Sequence, residues 1–126
     1  MNARDTNRSR IEALYRALNA ADIDGVMACY GEGARIEVVA PGPFEGEHAP
    51  SRDLLERLFQ AIPELTFEIR SLLFDGNCVA AEVSSTGKLA NGAPYSNRYH
   101  NLFELRDGLI VNFREYPTYP GAESSR

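Results

Sequence analysis

The 126-residue chain (14.0 kDa) has 44% hydrophobic and 25% charged side chains, the balance of one soluble globular domain with no room for a second core. Thirteen basic against eighteen acidic residues leave a net charge of −5 and a pI near 5.0, and no basic run offsets this, which argues against nucleic-acid or membrane partners. No apolar stretch approaches the roughly 20 residues of a membrane span, and the polar opening MNARDTNRSR has no apolar h-region behind it, so a cytoplasmic protein is expected.

Ile11, Leu14, Tyr15 and Leu18 fall at i, i+3, i+4 and i+7 and predict an amphipathic helix capped by Asp5 or Thr6, with residues 1–5 a disordered or capping N-terminus. Asp22 caps a short second helix, in which Ile23, Val26, Met27 and Tyr30 repeat the spacing until Gly31 and Gly33 break it. Residues 34–40 read as a strand with Ile36 and Val38 on one face and Arg35 and Glu37 on the other. PGPFEGEHAP is a loop by composition, and His48 within it is expected to be solvated, the alternative being a lid residue at the mouth of a cavity. Ser51 then caps a third helix with the stripe Leu54, Leu55, Leu58, Phe59 and Ile62, closed by Pro63.

From Thr66 the period changes to two. Four strands are separated by Asp75-Gly76-Asn77, Asn91-Gly92 and Asp107-Gly108, which supply the positive φ that two-residue hairpins need, so an antiparallel meander is predicted. Residues 121–126 have nothing to bury and are expected to be disordered, leaving 6–120 as a single domain. The order is ααβαββββ, an α+β chain in which three one-striped helices must cover one face of a curved, mainly antiparallel sheet. Such a sheet leaves a hollow beneath its helices. Cys29 and Cys78 read as small core residues with reduced thiols, and the two histidines make no zinc pattern, so no metal and no cofactor is expected.

Three stretches, LNAADIDGVMACY, the GPFEGEH loop and FELRDGLIVNFREY, together resemble the NTF2-like superfamily, in its SnoaL-like and ketosteroid-isomerase-like branch, from about Ile11 to Tyr119. The resemblance implies a cone-shaped, cystatin-like half-barrel around a ligand cavity, often a homodimer through the outer sheet face. Family members include isomerases, polyketide cyclases, dehydratases and proteins without chemistry, so fold does not settle function. The aspartate base of ketosteroid isomerase falls here on Val38, its tyrosine donor on Leu14 beside Tyr15, and its protonated aspartate on Asn101. A valine cannot take a proton, which removes the standard steroid isomerase mechanism.

On the strand 94–105, Tyr95, Asn97, Tyr99, Asn101 and Phe103 share one face, and the family register turns that face into the cavity. Tyr99 and Asn101 are candidates to hold a ligand oxygen, or else they bond one another and the backbone; Tyr95 is read as structural. On the last strand Leu109, Val111, Phe113 and Glu115 alternate inward, making Glu115 the candidate acid/base. The Arg-Glu-Tyr run also resembles the Arg-Glu-Phe run of phenazine-biosynthesis A/B proteins, where the glutamate is a cavity acid/base; that family's helical histidine is replaced by Leu54 or a neighbour. The alternative for Glu115 is an ion pair with an arginine. Tyr15, Met27, Tyr30, Val38, Phe59, Val83, Asn97, Phe103 and Phe113 are the expected cavity lining, with Ala81, Ser85 and Gly87 leaving volume unfilled. His100, Arg35, Glu37, Arg98 and Arg114 are assigned to the outer face.

The function expected is a cofactor-free enzyme performing acid/base chemistry on a small apolar oxygenated molecule, of isomerase, cyclase or dehydratase type. The alternative is a non-catalytic ligand-binding or dimerisation module of the same fold.

Overall fold

The computed structural model describes residues 2–118; the tail expected at 121–126 lies outside them. Helix α1 (Ala3–Asn19) begins ahead of Asp5 and Thr6, because Asn2 is the cap and its side-chain oxygen accepts from the Asp5 amide at 2.8 Å. Ile11, Leu14, Tyr15 and Leu18 are buried, as their spacing requires. Helix α2 (Ile23–Met27) is capped by Asp22, which accepts from the Gly25 amide. Tyr30, expected on its last turn, instead opens strand β1 (Tyr30–Val38). The Ile110 amide donates to the Cys29 carbonyl at 2.9 Å and Tyr30 pairs with Ile110, so strand pairing captures the chain before the helix can continue.

A short strand β2 (Gly46–His48) lies where composition predicts only loop, with His48 opposite Ile36 and Gly46 opposite Val38. Helix α3 (Arg52–Ala61) is capped by Ser51 and ends before Pro63. Strands β3 (Thr66–Asp75), β4 (Cys78–Lys88), β5 (Pro94–Arg106) and β6 (Leu109–Glu115) form the meander. The first and third connections are two-residue turns with Gly76, Asp107 and Gly108 at positive φ. The middle one is a longer loop over 89–93, closed by the Leu89 amide on the Ala93 carbonyl at 2.8 Å.

The sheet order is β2-β1-β6-β5-β4-β3, antiparallel throughout except for the parallel β1–β6 pair. The element order is thus ααββαββββ, with six strands rather than five, in the expected α+β class. Three interruptions of register bend the sheet, one of them in β1 between Tyr30 and Arg35 opposite β6. Arg70 is an extra residue between pairs Ile69↔Val83 and Ser71↔Glu82, and Val111 is another between Asn112↔Glu104 and Ile110↔Leu105. The bulge at Val111 breaks the alternation expected on β6: Ile110 and Phe113 are buried while Val111 is skipped.

The core lies between the helices and the inner sheet face. Phe103 packs on Phe113 at a ring separation of 4.4 Å, and Tyr15 stands edge-on to Phe103 at 6.4 Å. Asn19 ties α1 to the edge strand by donating to the Phe67 carbonyl and accepting from its amide. Cys29 is buried and Cys78, expected in the core, is exposed; both are free thiols. Among the described residues no helix is long and apolar enough to cross a membrane.

Candidate active site

Two cavities of about 90 Å³ each open beneath the helices, and Val38, Phe44, Leu58, Phe67 and Glu115 line both. These five residues form a waist between an inner chamber, bounded by Leu18, Val26, Ile36, Leu54, Leu55 and Phe113, and an outer one, bounded by Ile62, Leu65, Tyr95, Asn97, Tyr99 and Pro117. Tyr15, Tyr30 and His48 complete the inner chamber. The β1–β6 register sets Val38 beside Glu115, so the carboxylate reaches the waist from the neighbouring strand.

Glu115 is partly buried, and among the described residues no side chain hydrogen-bonds to it or pairs with it, which overturns the arginine ion-pair alternative. The nearby Arg114 pairs with Glu104 instead, at 3.3 Å. Burial among apolar walls disfavours the charged form and pushes the Glu115 carboxyl up to about 7. Its charge in turn adds to the rise that burial imposes on the hydroxyls of Tyr15, Tyr30 and Tyr99, all of which stay protonated donors.

The inward row of β5 is buried as the period-two reading requires, but its polar members are already bonded. Tyr99 shares a hydrogen bond of 2.7 Å with the Ser85 hydroxyl and another with Tyr95. Asn97 donates to the Tyr95 hydroxyl at 2.8 Å, so Tyr95 belongs to the wall of the outer chamber as well as to the framework. Asn101 lines neither chamber. It donates to the Tyr15 hydroxyl at 3.0 Å and accepts from the Tyr116 amide at 3.3 Å, clamping α1 to the strand end that carries Glu115. Asn101 therefore braces α1 against the strand end and is not part of either cavity wall.

Of the expected lining, Tyr15, Tyr30, Val38, Asn97 and Phe113 reach the chambers. Val83 and Phe103 are fully buried core residues, and Met27 and Phe59 pack against that core. For α3 the lining residues are Leu54, Leu55 and Leu58, one turn of the same stripe facing slightly away from Phe59. Ala81 and Ser85 fill the core, and the space at Gly87 is taken: a Cβ there would meet Ile62 Cγ2 at 2.9 Å and the Leu65 Cα at 3.2 Å. The unfilled volume comes from the helix-to-sheet gap, not from small strand residues. Residues that the sequence did not mark are Phe44 and Phe67, while His48, read mainly as solvated with a lid role as the alternative, lines the inner chamber. Phe44, Gly46 and His48 are spaced by two, the period of a strand, which is the signal the loop composition hid. The His48 ring Nε2 donates to the Phe44 carbonyl at 2.8 Å, and the Arg57 guanidinium sits 5.7 Å above the Phe44 ring, so this segment is held across the waist. His100 and Arg98 are exposed, and Arg35 pairs with Glu47, in keeping with an outer-face placement.

The family model of the SnoaL-like domain matches residues 11–113. The chain belongs to the SnoaL-like domain family. Solved structures of the same fold include a candidate isomerase from Bacillus subtilis, 23% identical, with a TM-score of 0.83 over 94% of this chain and 90% of that one. An NTF2-like protein from Anabaena variabilis is 17% identical, with a TM-score of 0.78 over 97% of both chains. IdmH, a candidate polyketide cyclase from Streptomyces antibioticus, is 20% identical, with a TM-score of 0.75 over 89% of this SnoaL-like chain and 91% of its own. At such identities the likeness is one of fold. No protein in the curated set matches the sequence.

Proposed function

We propose that this SnoaL-like protein binds a small apolar oxygenated molecule and moves a proton on it without a cofactor, with Glu115 as the acid/base. The observation that carries the reading is a carboxylate at the junction of two apolar chambers, with no counter-ion among the described residues and a proton affinity pushed up to about 7 by burial. At neutral pH such a group is present in both forms, as a base that must later return its proton needs to be. The position resembling the aspartate base of ketosteroid isomerase is Val38, and Glu115 stands next to it on the paired strand, so the acid enters the same space from one strand over.

In the step proposed, the Glu115 carboxylate takes a proton from a C–H beside a carbonyl. The C–H electron pair moves onto the carbonyl oxygen, which Tyr99 steadies as its hydroxyl proton turns from Tyr95 to that oxygen while Ser85 stays bonded to it. Returned to another carbon, the proton completes an isomerisation; given to a departing hydroxyl, it completes a dehydration. If the carbanion first attacks a second carbonyl and the new alkoxide takes the proton, the outcome is a cyclisation.

The shared first step is measurable without the natural substrate. With 2-tetralone in heavy water, wild-type protein is expected to speed deuterium uptake beside the carbonyl, read by NMR, and Glu115→Gln to lower that rate by about a hundredfold, the usual worth of a positioned base. Equal rates for the two proteins would leave a ligand-binding module without chemistry.

A further inference from the structure

One wall of the waist is held differently from the other four. Val38 stands on β1 between two paired strands, Glu115 ends β6 and Leu58 lies within α3. Phe67 is tied through its own amide and carbonyl to the Asn19 side chain, and its ring packs on Tyr15 at 5.4 Å and on Tyr99 at 5.8 Å. Phe44 lies between β1 and β2, outside every strand and helix, half-buried and apart from the packed core. Pro41 and Pro43 have no amide hydrogen, so the pairing of β2 does not extend through them. Gly42 and Gly46 bracket Phe44 at φ of 137° and 101°, angles that glycine adopts at no steric cost.

Three contacts keep this segment in place. The His48 Nε2 donates to the Phe44 carbonyl at 2.8 Å, the Arg57 guanidinium lies 5.7 Å from the Phe44 ring, and the Glu45 amide donates to the Gly42 carbonyl at 3.2 Å. Neither chamber alone, at about 90 Å³, reaches the roughly 150 Å³ that takes up one benzene ring. A ring-sized molecule therefore enters only if a wall moves, and Phe44 is the wall with the least to break. We propose that residues 42–46 form a gate, with Gly42 and Gly46 as its hinges, Phe44 as the part that swings, and His48 and Arg57 as its latches. Shut, it divides the interior into two small spaces; swung outward, it joins them and admits a molecule to Leu58 and Glu115. The gate rests on the cavities and not on the acid/base reading, and it serves a binding module equally well.

Arg57 lines neither chamber, so changing it alters the opening and leaves the cavity walls alone. Leu58 lines both, and the thiol introduced by Leu58→Cys reports access. Its labelling by N-ethylmaleimide, read by peptide mass spectrometry against the exposed Cys78, is expected to be far slower than at Cys78. Arg57→Met should speed it about two- to fivefold, the worth of one exposed cation–π contact, and Phe44→Ala should bring it near the Cys78 rate. Asp53→Asn removes the ion partner of Arg57 without touching the ring contact, and should change nothing. In the chain with Leu58 intact, NMR-detected exchange of the Glu45 amide should rise with Arg57→Met by the same factor. The Val39 amide, bonded to the Glu115 carbonyl at the root of the segment, should keep its rate. Labelling at position 58 as fast as at Cys78 in otherwise native protein, or a Glu45 amide that Arg57→Met leaves unchanged, overturns the gate. Absence of Glu115-dependent turnover of 2-tetralone with these rates intact removes the chemistry and upholds the gate.

Discussion

The inward rows of β5 and β6 lie side by side on the same face, yet they treat polarity in opposite ways. On β5 every inward polar group is bonded within the protein: Asn97 to Tyr95, Tyr99 to Ser85, Asn101 to Tyr15 and to the Tyr116 amide. On β6 the inward-reaching carboxyl of Glu115 has no such partner among the described residues and faces the waist between the chambers. The β5 groups are costs that the fold has cancelled, because a buried polar atom with a partner adds order and little strain. Glu115 is a cost left standing. A charge kept in an apolar setting destabilises the native state, and that proton affinity is the property a base uses.

The contrast is sharpest in pH dependence. The Glu115 carboxyl sits at about 7 in the folded protein against 4.5 for an ordinary glutamate. Below that window both folded and unfolded chains hold the proton and nothing is lost. As pH rises through it the unfolded chain releases the proton that the folded chain still retains, so the native state loses stability, by up to about 3 kcal/mol once both are ionised. Glu115→Gln lacks that loss. Urea unfolding at a series of pH values is expected to show the variant gaining on wild type between pH 4.5 and 7; parallel curves would mean that the carboxyl is solvated.

Asn101→Leu attacks the cancelled side of the comparison. It leaves the Tyr15 hydroxyl and the Tyr116 amide without their present partner, and is expected to cost about 2 kcal/mol of stability. Because the clamp joins α1 to the end of β6, the same variant should lower deuterium exchange while the pH midpoint of the remaining activity stays where Glu115 sets it. A shifted midpoint would mean that Asn101 also tunes the proton affinity of Glu115. The smallest effect belongs to Ser85→Ala, which removes one partner of Tyr99 but leaves Tyr95, and should cost about 1 kcal/mol in the same unfolding assay.

The regular stretches were legible before any coordinates. Ile11, Leu14, Tyr15 and Leu18 are buried at helical spacing, and Tyr95 to Phe103 are buried at every second residue, because β5 pairs with β4 without a break in register. The lining was less legible. Met27, Phe59, Val83 and Phe103 obey the inward periodicity and still miss the chambers, since periodicity reports which side of an element is buried but not whether the buried side meets packing or space. Phe44 and the strand placement of His48 were hidden for another reason: a three-residue strand exists only because β1 is there to pair with it, and the surrounding prolines and glycines mask its alternation.

Local chemistry, then, determined the helices, their caps at Asp22 and Ser51, the turn residues and the acid on the last strand, because each depends on neighbours in the chain. Tertiary contact decided where β1 begins, where Val111 bulges, that Asn101 holds Tyr15 and the strand end, and that Glu115 lines the cavities with no counter-ion among the described residues. Those outcomes depend on groups distant in sequence being brought within bonding distance, or kept from it, and spacing along one strand carries no record of what stands opposite.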